Sequence, residues 1–279
     1  MSEIEPGPIV LIGAGRMGGA LLKGWLAHGV GAHRIVVQEP APNEEIEEFL
    51  KASGLDAGRA RGEPAPPSVI VLAVKPQKMD EVAAGAAPLA GPKTVVMSVA
   101  AGRTIASLAA HFGPDAAIVR VMPNTPAAIG RGVSALYANK HVTPEQKADC
   151  ERLMAAVGET VWLDDEAQMD AVTAVSGSGP AYVFLLAECM AHAGVAAGLP
   201  VDLAAKLARA TVSGAGELMH TASETPTELR QNVTSPAGTT EAALRVLMGS
   251  GNAPENGPMA DLLREAVAAA AKRSRELAG

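Results

Sequence analysis

Gly13-Ala14-Gly15-Arg16-Met17-Gly18 is the first segment whose residue types and spacing imply chemistry. It follows the apolar run Ile9-Val10-Leu11-Ile12 and opens a helical pattern. In that setting Gly13 makes a tight turn, Gly15 lets the backbone approach a pyrophosphate, and Gly18 lets the helix pack on the strand. The helix start then presents N–H groups and a partial positive charge to phosphate oxygens. Taken alone the pattern is a glycine-rich turn. With a strand before it, a helix after it and strand–helix alternation downstream, it predicts a nicotinamide dinucleotide site.

Glu39 stands about twenty residues beyond the glycines, where such folds place the reader of the ribose hydroxyls. A carboxylate there accepts hydrogen bonds from an unmodified ribose and repels a 2′-phosphate, and no Arg or Lys follows it as far as Leu50. As chemistry this favours NADH; as structure, Glu39 only starts a loop. Ala73-Val74-Lys75-Pro76 and Ser98-Val99-Ala100-Ala101-Gly102 end two further strands, the edge where open α/β sheets bind ligands. Their small residues leave room for a flat nicotinamide ring. Lys75 either meets cofactor phosphate or ribose, or is a solvated lysine at a strand end.

The elements that must position these residues are legible as periodic runs. Ile9–Ile12, Ile35–Val37, Val69–Ala73, Thr94–Met97 and Ile118–Val121 are nearly continuously apolar, as parallel strands covered on both faces are. Helical patterns lie between them at residues 17–27, 44–53, 79–86 and 105–110. Another helix starts at Thr143-Pro144-Glu145-Gln146, where Thr143 caps, Pro144 takes the first helical position and Gln146 completes a capping box. This alternation predicts a Rossmann-type doubly wound parallel sheet. Beyond about Trp162 the strand-like runs stop, and Ala/Leu-rich helices follow at residues 181–193, 204–219, 240–248 and 258–278. The expected organisation is a dinucleotide-binding domain over residues 1–163 and an all-helical dimerisation and substrate domain over residues 164–279. Ala191, Ala193, Ala196 and Ala197 permit close helix packing. So much apolar helix in so short a segment predicts burial against a second copy, a homodimer. Pro64–Pro67 is expected to be a stiff loop.

Composition excludes several classes. The chain has 279 residues, 48 % apolar but only 3 % aromatic, so its core is built from Ala, Val, Leu and Met. The formal net charge of −7, with no basic block, lacks the electrostatic footprint of a nucleic-acid binder. Met1–Pro6 has neither the basic start nor the apolar run of a signal peptide. No uncharged apolar stretch is expected to span a bilayer. Cys150 and Cys189 lack CxxC spacing and read as reduced thiols, which with the preceding points predicts a cytoplasmic protein. The six histidines are scattered without HxxxH or HExxH spacing, so no metal site is expected.

Three further segments are too specific for a generic fold: Val121-Met122-Pro123-Asn124-Thr125-Pro126, the run from Ala174 through Ser176-Gly177-Ser178-Gly179-Pro180 to Tyr182, and Asn232-Val233-Thr234-Ser235-Pro236-Ala237-Gly238-Thr239-Thr240 with the helical residues to Leu244. Together with Ala73–Gln77 they resemble the pyrroline-5-carboxylate reductase family, which makes L-proline in the last step of proline biosynthesis. The resemblance runs from Ile9 to about Leu277. It implies a Rossmann domain followed by a helical domain whose helices interleave with those of a partner subunit; many family members build rings from such dimers. The implied active site lies where the nicotinamide meets the 232–244 loop, drawn from both subunits. Gly13, Ala14, Gly15, Arg16, Met17, Gly18, Glu39, Ala73, Val74, Lys75, Pro76, Ala100 and Ala101 would line the cofactor. By similarity Asn232 would also contact it, Thr239 and Thr240 would contact the substrate, and Glu166 matches a family position close to the substrate ring. The family more often uses NADPH, so NADPH is the expected cofactor and NADH the close alternative.

The substrate would be a small cyclic imine carrying a carboxylate. Hydride transfer is the cofactor's chemistry, so the protein must supply orientation and electrostatics. A protonated imine is already electrophilic, and neither a strong general acid nor a metal is needed. Ser235, Gly238, Thr239 and Thr240 suit that limited role. They precede the helical pattern from Glu241, so backbone N–H groups can converge on the carboxylate. Thr240 Oγ would bond the ring nitrogen and set which face meets the hydride. The competing structural reading is a turn with a threonine cap. Ser176–Pro180 is no nucleophile elbow, because no strand precedes it, and Asn124 is a candidate hydrogen-bonding residue below the nicotinamide. A 3-hydroxyacid dehydrogenase would need a lysine base, and beyond Val161 only Lys206 and Lys272 occur, neither beside a glycine-rich pattern. A non-catalytic dinucleotide sensor would have no reason to keep a complete substrate loop.

Overall fold

Parallel strands covered on both faces require helices on both faces, and the sheet shows how this chain supplies them. The computed structural model describes residues 7–58, 66–249 and 254–278. The acidic Met1–Pro6 segment and the Pro64 end of the expected stiff loop lie outside them. In chain order the elements of the first half are β1 (Ile9–Ile12), α1 (Arg16–Ala27), β2 (Ile35–Gln38), α2 (Glu44–Ala52), β3 (Val69–Leu72), α3 (Met79–Ala86), β4 (Val95–Ser98), α4 (Ile105–Phe112), β5 (Ala117–Met122), β6 (Gly132–Ala138), α5 (Pro144–Ala155) and β7 (Gly158–Trp162). Seven strands form one sheet in the order β2-β1-β3-β4-β5-β6-β7. Every neighbouring pair is parallel except β5 with β6.

Successive strand residues point to opposite faces, so β1 divides its apolar residues between two layers. Ile9 and Leu11 join Leu21, Leu22 and Trp25 of α1, Ile46 and Leu50 of α2, and Leu153 and Met154 of α5. Val10 and Ile12 join Met79 of α3 and Leu108 of α4. Trp25 is fully buried, and its indole N–H donates to the Leu153 carbonyl at 2.8 Å, which removes the cost of burying that polar group. The capping box expected at α5 is present. Thr143 Oγ1 accepts the Gln146 N–H at 3.3 Å, and Gln146 Oε1 accepts the Thr143 N–H at 2.9 Å.

Two strands escape the sequence pattern. β6 pairs antiparallel with β5, and β7 lies at the edge with its residues half-buried or exposed in alternation. Neither shows the continuous apolar run of a strand covered on both faces. The two strands start at the paired glycines Gly132 and Gly158. Gly158 has φ +146°, and a Cβ there would collide with the Gly132 carbonyl oxygen.

After β7 the chain turns helical: α6 (Met169–Val172) running into a π turn at Thr173–Gly177, α7 (Gly179–Ala196), α8 (Val201–Thr221), α9 (Pro226–Asn232), α10 (Thr239–Met248) and α11 (Pro258–Ala278). The short α6 and α9 have no counterpart among the patterns read from the sequence. The backbone separates into two compact units, one of residues 178–270, the other of the remainder up to 177 together with 271–279. The end of α11 thus belongs with the sheet: Ser274 Oγ donates to Asp170 Oδ1 at 2.6 Å.

Within the helical unit α7 and α8 pack together. Their close approach is at Gly194, where an added Cβ would stand 3.2 Å from the Ala204 Cβ, not at Ala193, Ala196 or Ala197, which are exposed. No residue of α7 is buried. Phe184 is 66 % exposed, and Leu185, Leu207, Val246 and Leu262 are also exposed. The helical run of residues 166–196 is long and apolar enough, by length and composition, to cross a membrane, but it carries Glu188 and so is not the uncharged stretch considered in the sequence.

Replacing Gly158 by alanine should destabilise the sheet unit by about 2–4 kcal/mol, through left-handed strain and a clash with backbone. Urea unfolding measures this, and an unchanged midpoint would contradict it.

Candidate functional site

β1 leads through α1 to β2 on one side, whereas β3 lies on the other side of β1. The carboxyl ends of β1 and β3 therefore flank a topological switch point, where open α/β sheets bind ligands. Gly13 sits there with φ +94°, and a Cβ on it would come within 2.6 Å of the Ala73 carbonyl oxygen and 2.9 Å of Val74 Cγ1. A Cβ on Gly18 would collide with the Gly13 carbonyl, whereas one on Gly15 would meet nothing within 4 Å. Gly13 and Gly18 are thus required by packing, and Gly15 leaves open space in front of the turn. Gly15 is the N-cap of α1 and offers no side-chain cap, and the first turn of α1 carries no acidic residue. The leading N–H groups of α1 face that space as an anion-binding helix start. Arg16 is exposed beside it and Met17 half-buried.

Glu39 follows β2 directly. One carboxylate oxygen accepts the Ala14 N–H at 2.9 Å and the other the Ala41 N–H at 3.2 Å. The side chain is therefore fixed against the glycine turn and does more than start a loop. Glu44, Glu45 and Glu47 in the first turn of α2 make the neighbourhood acidic. Lys23 of α1 is paired with Glu45.

The segments after β3 and β4 lie side by side, since Leu72 and Ser98 are register partners. Lys75 is exposed, and Ala73, Val74, Pro76, Ala100 and Ala101 are half-buried. Arg103 joins the two segments. Its guanidinium donates to Asp80 Oδ1 at 2.8 Å, to Asp80 Oδ2 at 3.0 Å and to the Pro76 carbonyl at 2.6 Å. Hydrogen bonds from Arg103 and then from His111 hold the Asp80 carboxyl below the usual carboxylate range.

Glu166 lies in the same unit. Its Oε1 accepts from Arg120 Nη1 at 2.5 Å and from the Ile105 N–H at 2.8 Å. One carboxylate thus neutralises an arginine rising from β5 and satisfies a donor in the first turn of α4. Arg103 and Arg120 were not singled out from sequence. A readable signal for Arg120 existed, because a charge inside the apolar run Ile118–Val121 demands a partner. Asn124 does not face a ligand with its carbonyl: Oδ1 accepts the Val133 N–H at 2.9 Å. Ser176 Oγ donates to the Val172 carbonyl at 3.1 Å, a helix-internal bond that fits no nucleophile. Cys150 is buried, and burial followed by the nearby Asp149 pushes its thiol well above the usual range. Among the described residues no group of three or more His, Cys, Asp or Glu side chains could hold a metal ion.

The helical unit carries the second half of the expected site. Asn232 ends α9 and is exposed. The loop then folds back on itself: the Gly238 N–H donates to the Ser235 carbonyl at 3.0 Å, and Ala237 takes φ +55°. The Ala237 N–H donates to Glu241 Oε2 at 2.5 Å. The hydrogen bond from Arg245, followed by that from Ala237, lowers the Glu241 carboxyl. α10 begins at Thr239, one residue before the helix expected over 240–248, and its N-cap is Gly238 with no side-chain cap. The threonine-cap reading therefore fails, since Thr239 and Thr240 lie inside the first turn and leave the helix start open. A cavity of about 270 Å³ beside this loop is lined by Arg230, Arg245 and Glu241 among others, and by none of Ser235, Thr239 or Thr240.

Removing the Arg120 guanidinium should leave Glu166 half-buried without its cation and destabilise the sheet unit by about 1–3 kcal/mol. Thermal or urea unfolding of Arg120→Ala would read this, and wild-type stability would show the pair to be incidental.

Two families match segments of the chain. Residues 166–277 match one described as pyrroline-5-carboxylate reductase dimerisation, and residues 8–102 match one described as NADP oxidoreductase coenzyme F420-dependent. A pyrroline-5-carboxylate reductase of Pseudomonas aeruginosa is 43 % identical over 97 % of this chain and 96 % of its own length. One from Pisum sativum is 39 % identical over 95 % and 94 %. Among solved structures, the pyrroline-5-carboxylate reductase of Coxiella burnetii has a TM-score of 0.88 at 34 % identity, covering 98 % of this chain and 99 % of that one. The pyrroline carboxylate reductase of Plasmodium falciparum with NADP bound has a TM-score of 0.79 at 28 % identity, covering 99 % and 100 %.

Proposed function

The chain belongs to the pyrroline-5-carboxylate reductase family, and from that premise we propose that it reduces 1-pyrroline-5-carboxylate to L-proline with a nicotinamide cofactor. The bound cofactor would supply hydride from its nicotinamide to the imine carbon. The ring nitrogen, protonated beforehand, takes the released electron pair and ends as a secondary amine. NADPH is the proposed donor, in line with the NADP carried by a relative. NADH is the close alternative, because Glu39 stands fixed where an unmodified ribose would be read.

The observation that carries this reading is the uncapped start of α10. Its N–H groups form an anion site suited to the substrate carboxylate. Thr240 Oγ then accepts the N–H of the protonated imine, which fixes the ring face presented to the hydride. Thr239 and Ser235 add hydroxyl donors, and Gly238 admits the substrate close to backbone. On the sheet unit the start of α1 takes the pyrophosphate between Gly13 and Gly18. Ala73–Pro76, Ala100 and Ala101 border the nicotinamide half, and Asn232 contacts the cofactor from the helical unit. Glu166 Oε1 is occupied by Arg120 and Ile105, so its contact with the substrate ring would use Oε2.

The functional division proposed is residues 1–163 for the cofactor and 164–279 for dimerisation and substrate. The exposed apolar faces of α7, α8, α10 and α11 are proposed to be covered by a second copy rather than by lipid, giving a homodimer, with rings of dimers as the higher assembly. A net charge of −7 argues against nucleic acid as a partner. The compartment proposed is the cytoplasm.

Purified protein given 1-pyrroline-5-carboxylate with NADPH, and separately with NADH, should oxidise the cofactor, seen as loss of nicotinamide absorbance. Folded protein that turns over neither would end the proposal. Thr240→Ala should lower kcat/KM by roughly tenfold or more through lost orientation. Steady-state kinetics at saturating cofactor measure this, and a wild-type value would remove Thr240 from the mechanism.

A further inference from the structure

The backbone ladder between β3 and β4 stops short of the segments that border the cofactor. Its last register pair is Leu72 with Ser98, and the Val99 N–H to Leu72 carbonyl bond, 3.1 Å, closes it. Lys75 and Pro76 on one side, and Ala100 and Ala101 on the other, lie beyond that point. A side chain that reaches across can set their spacing there. Arg103 is so placed: it follows Ala100–Gly102 immediately and reaches across to the carbonyl of Pro76 and to both oxygens of Asp80, in the first turn of α3.

The far side of this tie is also fixed. Gly102 has φ +71°, and a Cβ on it would stand 3.2 Å from the Leu277 carbonyl oxygen, so the loop bearing Arg103 is backed by the end of α11. Asp80 has a second partner, His111 Nε2 of α4, at 3.2 Å. The guanidinium is mostly covered, with its side chain 21 % exposed, whereas Asp80 is 61 % exposed. With its carboxylate so open to water, the ion pair contributes little to stability. Its planar, bidentate geometry together with the carbonyl bond specifies position instead.

We propose that Arg103 is a positioning residue for the nicotinamide cofactor, locking the Lys75–Pro76 segment to the Ala100–Ala101 segment through Asp80 and the Pro76 carbonyl. This rests on the reading of those strand ends as the cofactor's nicotinamide side. The guanidinium itself is engaged with Asp80 and Pro76, so it acts through the two segments and not on the reacting atoms. Losing the tie lets them separate and weakens cofactor binding, while the few complexes that form still react at nearly the normal rate.

The test measures NADPH and NADH binding by fluorescence titration alongside steady-state kinetics. Arg103→Ala should raise Kd and KM for the preferred cofactor about tenfold, with kcat within about threefold of wild type. Its Tm should move by no more than about 4 °C, as expected for an exposed pair. Arg103→Lys should fail to restore binding, because an ammonium cannot span the carboxylate fork and the carbonyl together. Hydrogen exchange of the amides of residues 74, 75, 77, 78 and 99–103 should quicken in both variants. An unchanged Kd in Arg103→Ala would overturn the proposal. So would full restoration by Arg103→Lys, which would show that charge alone acts. Binding is read without substrate, so wild-type protein that binds cofactor yet reduces no imine would sink the activity reading and leave the result on Arg103 standing.

Discussion

Where β1 runs into α1, two backbone segments and a helix meet with no room for a side chain at Gly13 or Gly18. That crowding brings the carboxyl end of β3 against the turn and aims the start of α1 into the crevice beside it. Because the strand order reverses there, no further strand or crossover closes the crevice. Gly15, open to solvent, is the counterpart: the same turn that is packed behind is empty in front. Everything proposed for the cofactor follows from this division between a filled and an unfilled side of one glycine-rich turn.

The surrounding side chains hold what the backbone ladder does not. Glu39 bonds the Ala14 N–H and so ties the end of β2 to the turn. Glu166 joins Arg120 of β5 to the first turn of α4, and Arg103 joins the segments after β3 and β4. Each is a charge-assisted contact that fixes a segment beyond a strand end, where sheet hydrogen bonds give out and loop geometry would otherwise be free.

The helical unit has the opposite difficulty. A long helix without one buried residue, α7, which exposes Phe184, and exposed leucines and valines on its neighbours leave too little core for the segment by itself. A partner surface is thus a requirement of its composition, consistent with the match of residues 166–277 to a dimerisation family.

Much of this was legible in the residues alone. Continuous apolar runs mark β1 to β5 because a strand covered on both faces must be apolar throughout, and the glycine spacing marks the turn because only glycine fits at Gly13 and Gly18. Local chemistry also determined the α5 capping box, and the Asn232–Thr240 segment was recognisable as a unit. The edge strand β7 and the antiparallel β6 were not legible, since half-covered strands carry no continuous apolar signal. Only the tertiary structure decided that Glu39 bonds the glycine turn, that Gly238 rather than a threonine takes the N-cap position of α10 and leaves it without a side-chain cap, and that Arg103 and Arg120 have the partners they do. Those contacts join residues far apart in the chain or depend on where a helix starts. Periodicity describes one element at a time, so it cannot say which side chains of different elements will meet.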